Sequence, residues 1–101
     1  MKIITVCGSL KYTKEMMEIA EELGKQGNCM LTPVYPTKND KSSYSPEEIN
    51  IVSKMHLERI KLSDAIIVVN IDNYIGESTK NETEYAISLG KEIIYYSDIK
   101  K

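Results

Sequence analysis

The sequence lacks the features that define several large classes of protein. Its 101 residues contain no apolar run long enough to cross a bilayer, and its two cysteines are too few for a disulfide scaffold. Lys and Arg total 13 against 15 Asp and Glu, and a net charge of -2 argues against a broad nucleic-acid-binding surface. The content of 42% hydrophobic and 28% charged residues is typical of a globular chain and excludes a disordered or collagen-like one.

Other signals are equally sparse. Residues 1–6 are too short for the core of a signal peptide and lack its cleavage pattern, so we expect a cytoplasmic protein with no membrane or nucleic-acid partner. The length predicts a single domain over residues 1–101. Cys7 and Cys29 fall in or beside apolar runs, and we expect both to be buried and reduced. With one histidine they lack the spacing of a metal site, so the sequence predicts no metal and no cofactor.

Four apolar runs alternate with three helical patterns. Apolar runs predict strands over residues 3–7, 29–32, 65–71 and 92–96. The first is nearly continuous, as expected where both faces of a sheet are covered, the second is weaker, and the third is the clearest buried strand. Apolar residues at helical spacing predict helices over residues 14–23 (with Thr13 as its cap), 46–62, and from about residue 79 to Gly90. Ser45, Pro46 and Glu48 form a capping box, with proline at the first helical position. Residues 34–44 form the longest loop, which is the best candidate for a lid.

This alternation predicts an α/β fold. We expect a flavodoxin-like or Rossmann-like three-layer sandwich, with a four-stranded parallel sheet of order 2-1-3-4 and three crossover helices. Such a sheet binds ligands at the carboxyl ends of its strands, where the strand order reverses. The reversal lies between the first and third strands. Loops 8–13 and 72–79 reach this point and are where functional groups are expected.

The first of these loops offers Gly8, Ser9 and Lys11. A glycine lets the backbone approach a ligand closely, and a hydroxyl next to a helix start suits a phosphate or sugar oxygen. A tight strand-to-helix turn accounts for the same residues equally well.

The second loop is rich in hydrogen-bonding groups. Tyr74 could stack on a base or a sugar, or it could simply cover the end of the sheet. Gly76, Ser78 and Thr79 complete the predicted substrate-binding residues.

Two further residues have a functional and a purely structural interpretation. Glu82 has capping-box spacing from Thr79, but it could instead face the crevice as a nucleophile or base. Glu84, two residues later, diverges from Glu82 on a helix, so both cannot point into one site.

His56 falls on the predicted inward face of the second helix, shared by Ile49, Val52 and Ile60. It is either a buried, hydrogen-bonded histidine or a crevice residue that protonates a departing base or binds a phosphate.

Several short motifs follow one another in a recognisable order. They are the strand ending Cys7-Gly8-Ser9, the element Ser63-Asp64-Ala65, the loop around Gly76, and Glu82 followed by Tyr85-Ala86 and Gly90-Lys91. In this order, over nearly the whole chain, they resemble the nucleoside 2-deoxyribosyltransferase-like superfamily, which includes base-exchanging transferases and hydrolases of deoxynucleoside monophosphates. The resemblance implies that Glu82, four residues before Ala86, is a nucleophile that attacks the anomeric carbon of a deoxyribose, leading to a glycosyl-enzyme intermediate.

The chain also departs from this family. The family's aspartate eight positions before Asp64 is replaced by His56, and family members usually continue beyond the fourth strand. Three hypotheses therefore stand: a deoxyribosyltransferase or N-glycosidase, a nucleotide- or nucleotide-sugar-binding protein without catalysis, and a flavodoxin-like interaction protein without a ligand. The apolar residues Met16, Met17, Ile51 and Met55, together with the resemblance, predict a homodimer or a higher homo-oligomer.

Overall fold

The architecture agrees with the predicted one. A computed structural model describes residues 1–38 and 40–100, without the side chain of Lys41. Short 3-10 turns occupy Leu10–Tyr12, Lys41–Ser43 and Ile71–Asn73. The strands and helices are β1 (Ile3–Gly8), α1 (Thr13–Lys25), β2 (Cys29–Leu31), α2 (Pro46–Leu62), β3 (Ala65–Val69), α3 (Glu77–Ser88), β4 (Glu92–Tyr95) and α4 (Tyr96–Ile99).

The four strands form one parallel sheet in the order β2-β1-β3-β4. The central pair, β1 and β3, places Cys7 opposite Val68 and Gly8 opposite Val69. The strand order therefore reverses between β1 and β3, as expected. Their carboxyl ends lead directly into loops 8–13 and 72–79.

Alternation along the strands divides the core between the two faces of the sheet. One face packs Ile4, Val6 and Ile67 against Met16 and Ile19 of α1. The opposite face lies under α2 and α3, and its buried apolar cluster consists of Cys7, Ile60, Ile66, Val68 and Ala86. A polar layer accompanies this second cluster, where the hydroxyls of Thr5 and Ser63 hydrogen-bond to each other.

Helix α2 begins as predicted but extends beyond the sheet. Ser45 and Glu48 form the reciprocal capping box. The predicted inward face is only half correct, because Ile49 is 50% exposed and Val52 is 37% exposed, whereas His56 is buried. Seventeen helical residues span about 25 Å and five strand residues only about 17 Å. His56 lies beside Cys7 near the carboxyl end of β1, and residues 46–55 are all exposed, so this part of α2 extends past the carboxyl edge of the sheet.

Several local predictions were wrong. Thr13 does not cap α1 but is its first residue, and its hydroxyl donates to the Leu10 carbonyl. Cys29 is exposed, because β2 is a short edge strand, whereas Cys7 is buried as expected. Tyr96 leaves the fourth strand and begins α4, an element that the sequence did not indicate. By contrast, Gly27 after α1 and Gly90 after α3 both have positive φ, the left-handed conformation that is common at the end of a helix.

The predicted lid loop is described except at Asn39, which lies outside the described residues. The backbone N–H of Lys38 donates to the Tyr44 hydroxyl, and the Asp40 carboxylate accepts from Ser42. These are local contacts, and a lid role stays a prediction. Among the described helices, none is long and apolar enough to cross a membrane.

Candidate active site

The orientation of Glu82 is decided by where α3 starts. The helix begins at Glu77 with Gly76 at the N-cap position, two residues earlier than predicted. Thr79 is therefore inside the helix and only 2% exposed, and its carbonyl accepts from the Thr83 hydroxyl at 2.8 Å. The capping-box interpretation of Glu82 is wrong. Its carboxylate lies instead toward the end of β1, with 20% of the side chain exposed.

Three polar side chains from three elements meet there. Cys7 of β1, His56 of α2 and Glu82 of α3 each contribute one atom, and these atoms all lie within 4.8 Å of one another. His56 Nε2 is 3.5 Å from Cys7 Sγ and 3.6 Å from Glu82 Oε1. We name these three residues the carboxyl-end cluster. Cys7 was not predicted to take part, because a cysteine within an apolar strand is most often a buried, unreactive residue.

The contact of the second ring nitrogen of His56 favours one tautomer. Arg59, one turn along α2, places its Nη1 3.4 Å from His56 Nδ1. A guanidinium group can only donate, so this contact favours the tautomer in which Nδ1 accepts and Nε2 carries the ring proton of neutral His56. That proton faces Cys7 Sγ and Glu82. Arg59 was a second residue missed from the sequence, although its position three residues after His56 is a helical contact spacing.

Burial controls ionisation throughout the cluster. It raises the pKa of Glu82 to about 7, an effect that a hydrogen bond from Cys7 partly offsets. Burial, together with the adjacent Arg59 charge, lowers the pKa of His56 to about 4. Burial and the neighbouring Glu82 raise the pKa of the Cys7 thiol well above its usual value. The contact between His56 and Glu82 is therefore not an ion pair near neutral pH, and Glu82 is poised between its two protonation states.

The two predicted loops meet through a cation and two aromatic rings. Lys11 Nζ lies 4.2 Å from the centre of the Tyr74 ring, and the rings of Tyr12 and Tyr74 meet edge to face at 6.2 Å. Tyr74 is 43% exposed, so part of its surface remains open to solvent. Ser9 caps the turn that carries Lys11, accepting from the Lys11 backbone N–H. The two loops predicted to bind substrate thus contact each other through Lys11, Tyr12 and Tyr74. Ser78 is exposed and Thr79 is buried, and their roles in binding stay predictions.

At Gly8 and Gly76 an added Cβ would come close to other atoms, for a different structural reason at each position. A Cβ on Gly8 would lie 2.9 Å from Met16 Sδ and 3.2 Å from Val69 Cβ. Gly8 is therefore favoured by the packing of α1 on the sheet, and its close approach to a ligand stays a prediction. A Cβ on Gly76 would lie 3.3 Å from the Tyr74 hydroxyl, so Gly76 lets that ring fold close to the start of α3.

A separate cleft of about 220 Å³ adjoins the end of β3. Residues 70–73 form one side of it, and Tyr96, Ser97 and Lys100 form the other. Asp72 and Asn73 both have positive φ, and Asn70 holds this segment to α4 through two hydrogen bonds with Ser97. None of the carboxyl-end cluster lines this cleft.

Comparison with solved structures identifies the fold. A 2-deoxyribosyltransferase from Bacillus psychrosaccharolyticus superposes over 92% of this chain and 70% of its own, with a TM-score of 0.76 and 23% identity. A 2-deoxyribosyltransferase from Leishmania mexicana matches over 95% and 64%, with a TM-score of 0.68 and 18% identity. A CMP N-glycosidase from Clostridium botulinum matches over 93% and 70%, with a TM-score of 0.61 and 18% identity.

These similarities confirm the fold that the resemblance implied. The chain spans about two thirds of the length of the structures it matches. No protein-family model matches the sequence, and no curated protein does so either. At these identities the comparisons establish the fold, and the roles of individual residues follow from the geometry described above.

Proposed function

We propose that the chain cleaves or transfers the N-glycosidic bond of a nucleoside or nucleotide, with Glu82 as the nucleophile. One observation carries the proposal: the Glu82 carboxylate is directed to the carboxyl end of β1 and is not bonded to its own helix start. Its pKa near 7 is the kind of perturbation that clusters at functional sites. Three structures of the same fold bear the names of enzymes that act on such bonds.

The proposed reaction has two steps. The ionised Glu82 attacks the anomeric carbon of the sugar, and the base departs with the electron pair of the C–N bond and takes up a proton. Water then hydrolyses the glycosyl-enzyme ester, or a second base displaces the carboxylate, which restores Glu82. Both steps pass through a cationic sugar, which a nearby carboxylate stabilises.

The neighbouring groups have supporting roles in this proposal. Neutral His56 presents its Nε2–H toward Glu82 and Cys7, so it orients the carboxylate rather than protonating the base. Ser9 and Ser78 supply hydroxyls for the sugar, and the open face of Tyr74 supplies a stacking surface. Lys11, held against the Tyr74 ring, supplies a positive charge for a phosphate.

Base release tests the proposal. The protein is incubated with each deoxynucleoside and its monophosphate, and free base is separated by chromatography. We expect release to fall by about 10³-fold or more in Glu82→Gln, because the nucleophile is removed. The exposed Glu84→Gln is the matched control and should release base at the wild-type rate. Equal loss in both variants, or undiminished release in Glu82→Gln, would contradict the assignment.

A binding protein without catalysis is the second candidate function. The Lys11–Tyr74 contact favours it, because a cation over an open aromatic ring suits a nucleotide whether or not its bond is broken. Thermal stabilisation by a nucleotide, without base release, would support this alternative. Neither release nor stabilisation with any substrate tested would leave the third hypothesis, an interaction protein without a ligand.

We also propose that the chain self-associates. Of the apolar residues from which an oligomer was expected, Met17, Ile51 and Met55 are exposed, whereas Met16 is fully buried in the core and takes no part in a contact surface. The projecting part of α2 also exposes Ile49 and Val52. Light scattering should give at least twice the mass of one chain. The double substitution Ile51→Lys with Met55→Lys should return the mass to that of a monomer, and a monomeric wild type would reject the proposal.

A further inference from the structure

The carboxyl-end cluster has the composition of a transition-metal site. A thiol, an imidazole nitrogen and a carboxylate are the donors that Zn²⁺ takes in proteins, whereas Mg²⁺ and Ca²⁺ require oxygen. The three donors come from β1, α2 and α3, so the packed fold holds them together. Three protein ligands with one position open are the pattern of a zinc site that admits an additional ligand.

The distances agree with this chemistry. Bonds of about 2.3 Å to sulfur and about 2.0 Å to nitrogen or oxygen give tetrahedral edges of about 3.5 Å for S···N and about 3.3 Å for N···O. The observed separations are 3.5 Å from Cys7 Sγ to His56 Nε2 and 3.6 Å from His56 Nε2 to Glu82 Oε1. The third pair, Cys7 Sγ and the Glu82 carboxylate oxygen, lies within 4.8 Å. Side-chain adjustments of about 1 Å therefore suffice to place an ion between the three atoms. The partly exposed Glu82 gives access from solvent.

We propose that Cys7, His56 and Glu82 form a binding site for Zn²⁺. An ion bound there blocks Glu82 as a nucleophile, a consequence that rests on the function proposed above. Binding needs no oxidant or reductant. The Cys7 thiol, and Glu82 where it is protonated, release protons to solvent as their bonds to the metal form. The sequence predicted no metal, because residues 7, 56 and 82 have no regular spacing.

Substitution of Arg59, which contacts the other ring nitrogen of His56, should change the affinity of this site for zinc. A zinc ion takes the Nε2 lone pair, so the ring proton must move to Nδ1, where a metal-bound histidine normally donates to an acceptor. Arg59 Nη1, 3.4 Å from Nδ1, offers a second donor instead and must turn away. Arg59→Gln removes the positive charge and supplies an amide oxygen. We therefore expect zinc to bind about 10-fold more tightly in this variant.

Metal titration of the chelator-treated protein tests the proposal without any substrate. Zn²⁺ affinity is measured by competition with a chromophoric chelator, and Co²⁺ serves as a spectroscopic probe of thiolate ligation. The decisive protein is Cys29→Ser, in which Cys7 is the remaining cysteine. A thiolate-to-cobalt charge-transfer band in this folded variant arises from Cys7. Its absence at saturating Co²⁺, or the lack of one equivalent of bound Zn²⁺, would overturn the proposal.

Ligand variants make the test quantitative. Cys7→Ser, His56→Gln and Glu82→Gln should each weaken Zn²⁺ binding by about 10-fold or more, whereas Glu84→Gln should not change it. An unchanged affinity in any folded ligand variant would contradict the assignment of that ligand, and competition by Mg²⁺ at equal concentration would contradict the site. Base release, where detected, should stop at the same Zn²⁺ concentration that fills the site. Release that persists at saturation would overturn the inhibition while the binding data stand separately.

Discussion

The two faces of the sheet bury different kinds of side chain. Under α1, the core is formed by aliphatic residues such as Ile67 and Met16. Under α2 and α3, apolar residues share the interior with Thr5, Ser63 and His56, and with the partly exposed Glu82. Because burial penalises charge, titratable groups on the second face depart from their ordinary pKa values. The first face supplies packing stability, and the second combines stability with reactive groups.

Substitution of adjacent residues on opposite faces should have the largest effect. Ile66 and Ile67 are both fully buried, one on each face. Each Ile→Ala change should lower the free energy of unfolding by about 2–5 kcal/mol, measured by urea denaturation. Ile66→Ala should also shift the ring resonances of His56, which lies on its face, whereas Ile67→Ala should leave them in place. Equal shifts would show that the two faces are not independent.

Substitution of Glu82 should change the free energy of unfolding by a smaller amount and in the opposite direction, toward greater stability. At pH 8 this carboxyl is ionised in a largely buried position, which is unfavourable for the folded state. Glu82→Gln should therefore raise the free energy of unfolding by about 1–3 kcal/mol at pH 8 while it removes base release. The exposed Glu84→Gln should change stability by less than about 0.5 kcal/mol. Destabilisation by Glu82→Gln would mean that the carboxylate is better satisfied than its burial indicates.

The pH dependence of stability should separate Glu82 from His56. The pKa of Glu82 is raised on folding, so its contribution is complete below about pH 4.5 and is lost as pH rises through 7. The pKa of His56 is lowered, so its contribution is complete above about pH 6.5 and is lost as pH falls through 4. Between about pH 4.5 and 6.5 the wild-type free energy of unfolding therefore contains two opposing dependences on pH, one from Glu82 and one from His56.

A variant that lacks one of the two groups should show the pH dependence of stability that the other group causes, with a slope of up to about 1.4 kcal/mol per pH unit. Stability of Glu82→Gln should fall from pH 6.5 toward 4, and stability of His56→Gln should fall from pH 4.5 toward 7. Denaturation at a series of pH values measures both. Parallel slopes in the two variants would contradict the assignment.

The smallest expected change is in the tautomer of His56. It is the sole histidine of the sequence, so its ring ¹⁵N signals need no assignment. The wild-type spectrum should show the proton on Nε2, and Arg59→Met should populate the other tautomer, because Nδ1 loses its donor. A wild-type ring protonated on Nδ1 would remove the orientation proposed for His56.

Much of the fold could be predicted because its signals are local. The apolar run of β3 and the capping box at Ser45 are complete within a few residues. The alternation of strands and helices predicted a parallel sheet, and the order 2-1-3-4 was taken from the flavodoxin-like arrangement. The direction of Glu82 could not be decided in this way, because the Thr79-to-Glu82 spacing occurs inside α3 rather than at its start. The contact of Cys7 with His56 joins residues 49 positions apart, and it depends on the register of α2 over β1.

The projecting end of α2 has a kinetic consequence. Residues 46–55 are exposed throughout, so their amide hydrogens are protected by local helix stability and not by global unfolding. They should exchange with deuterated solvent much faster than those around Ile60, in the same helix. These turns extend past the carboxyl edge near which Glu82 lies, so this part of α2 can fray and reform while the sheet stays intact.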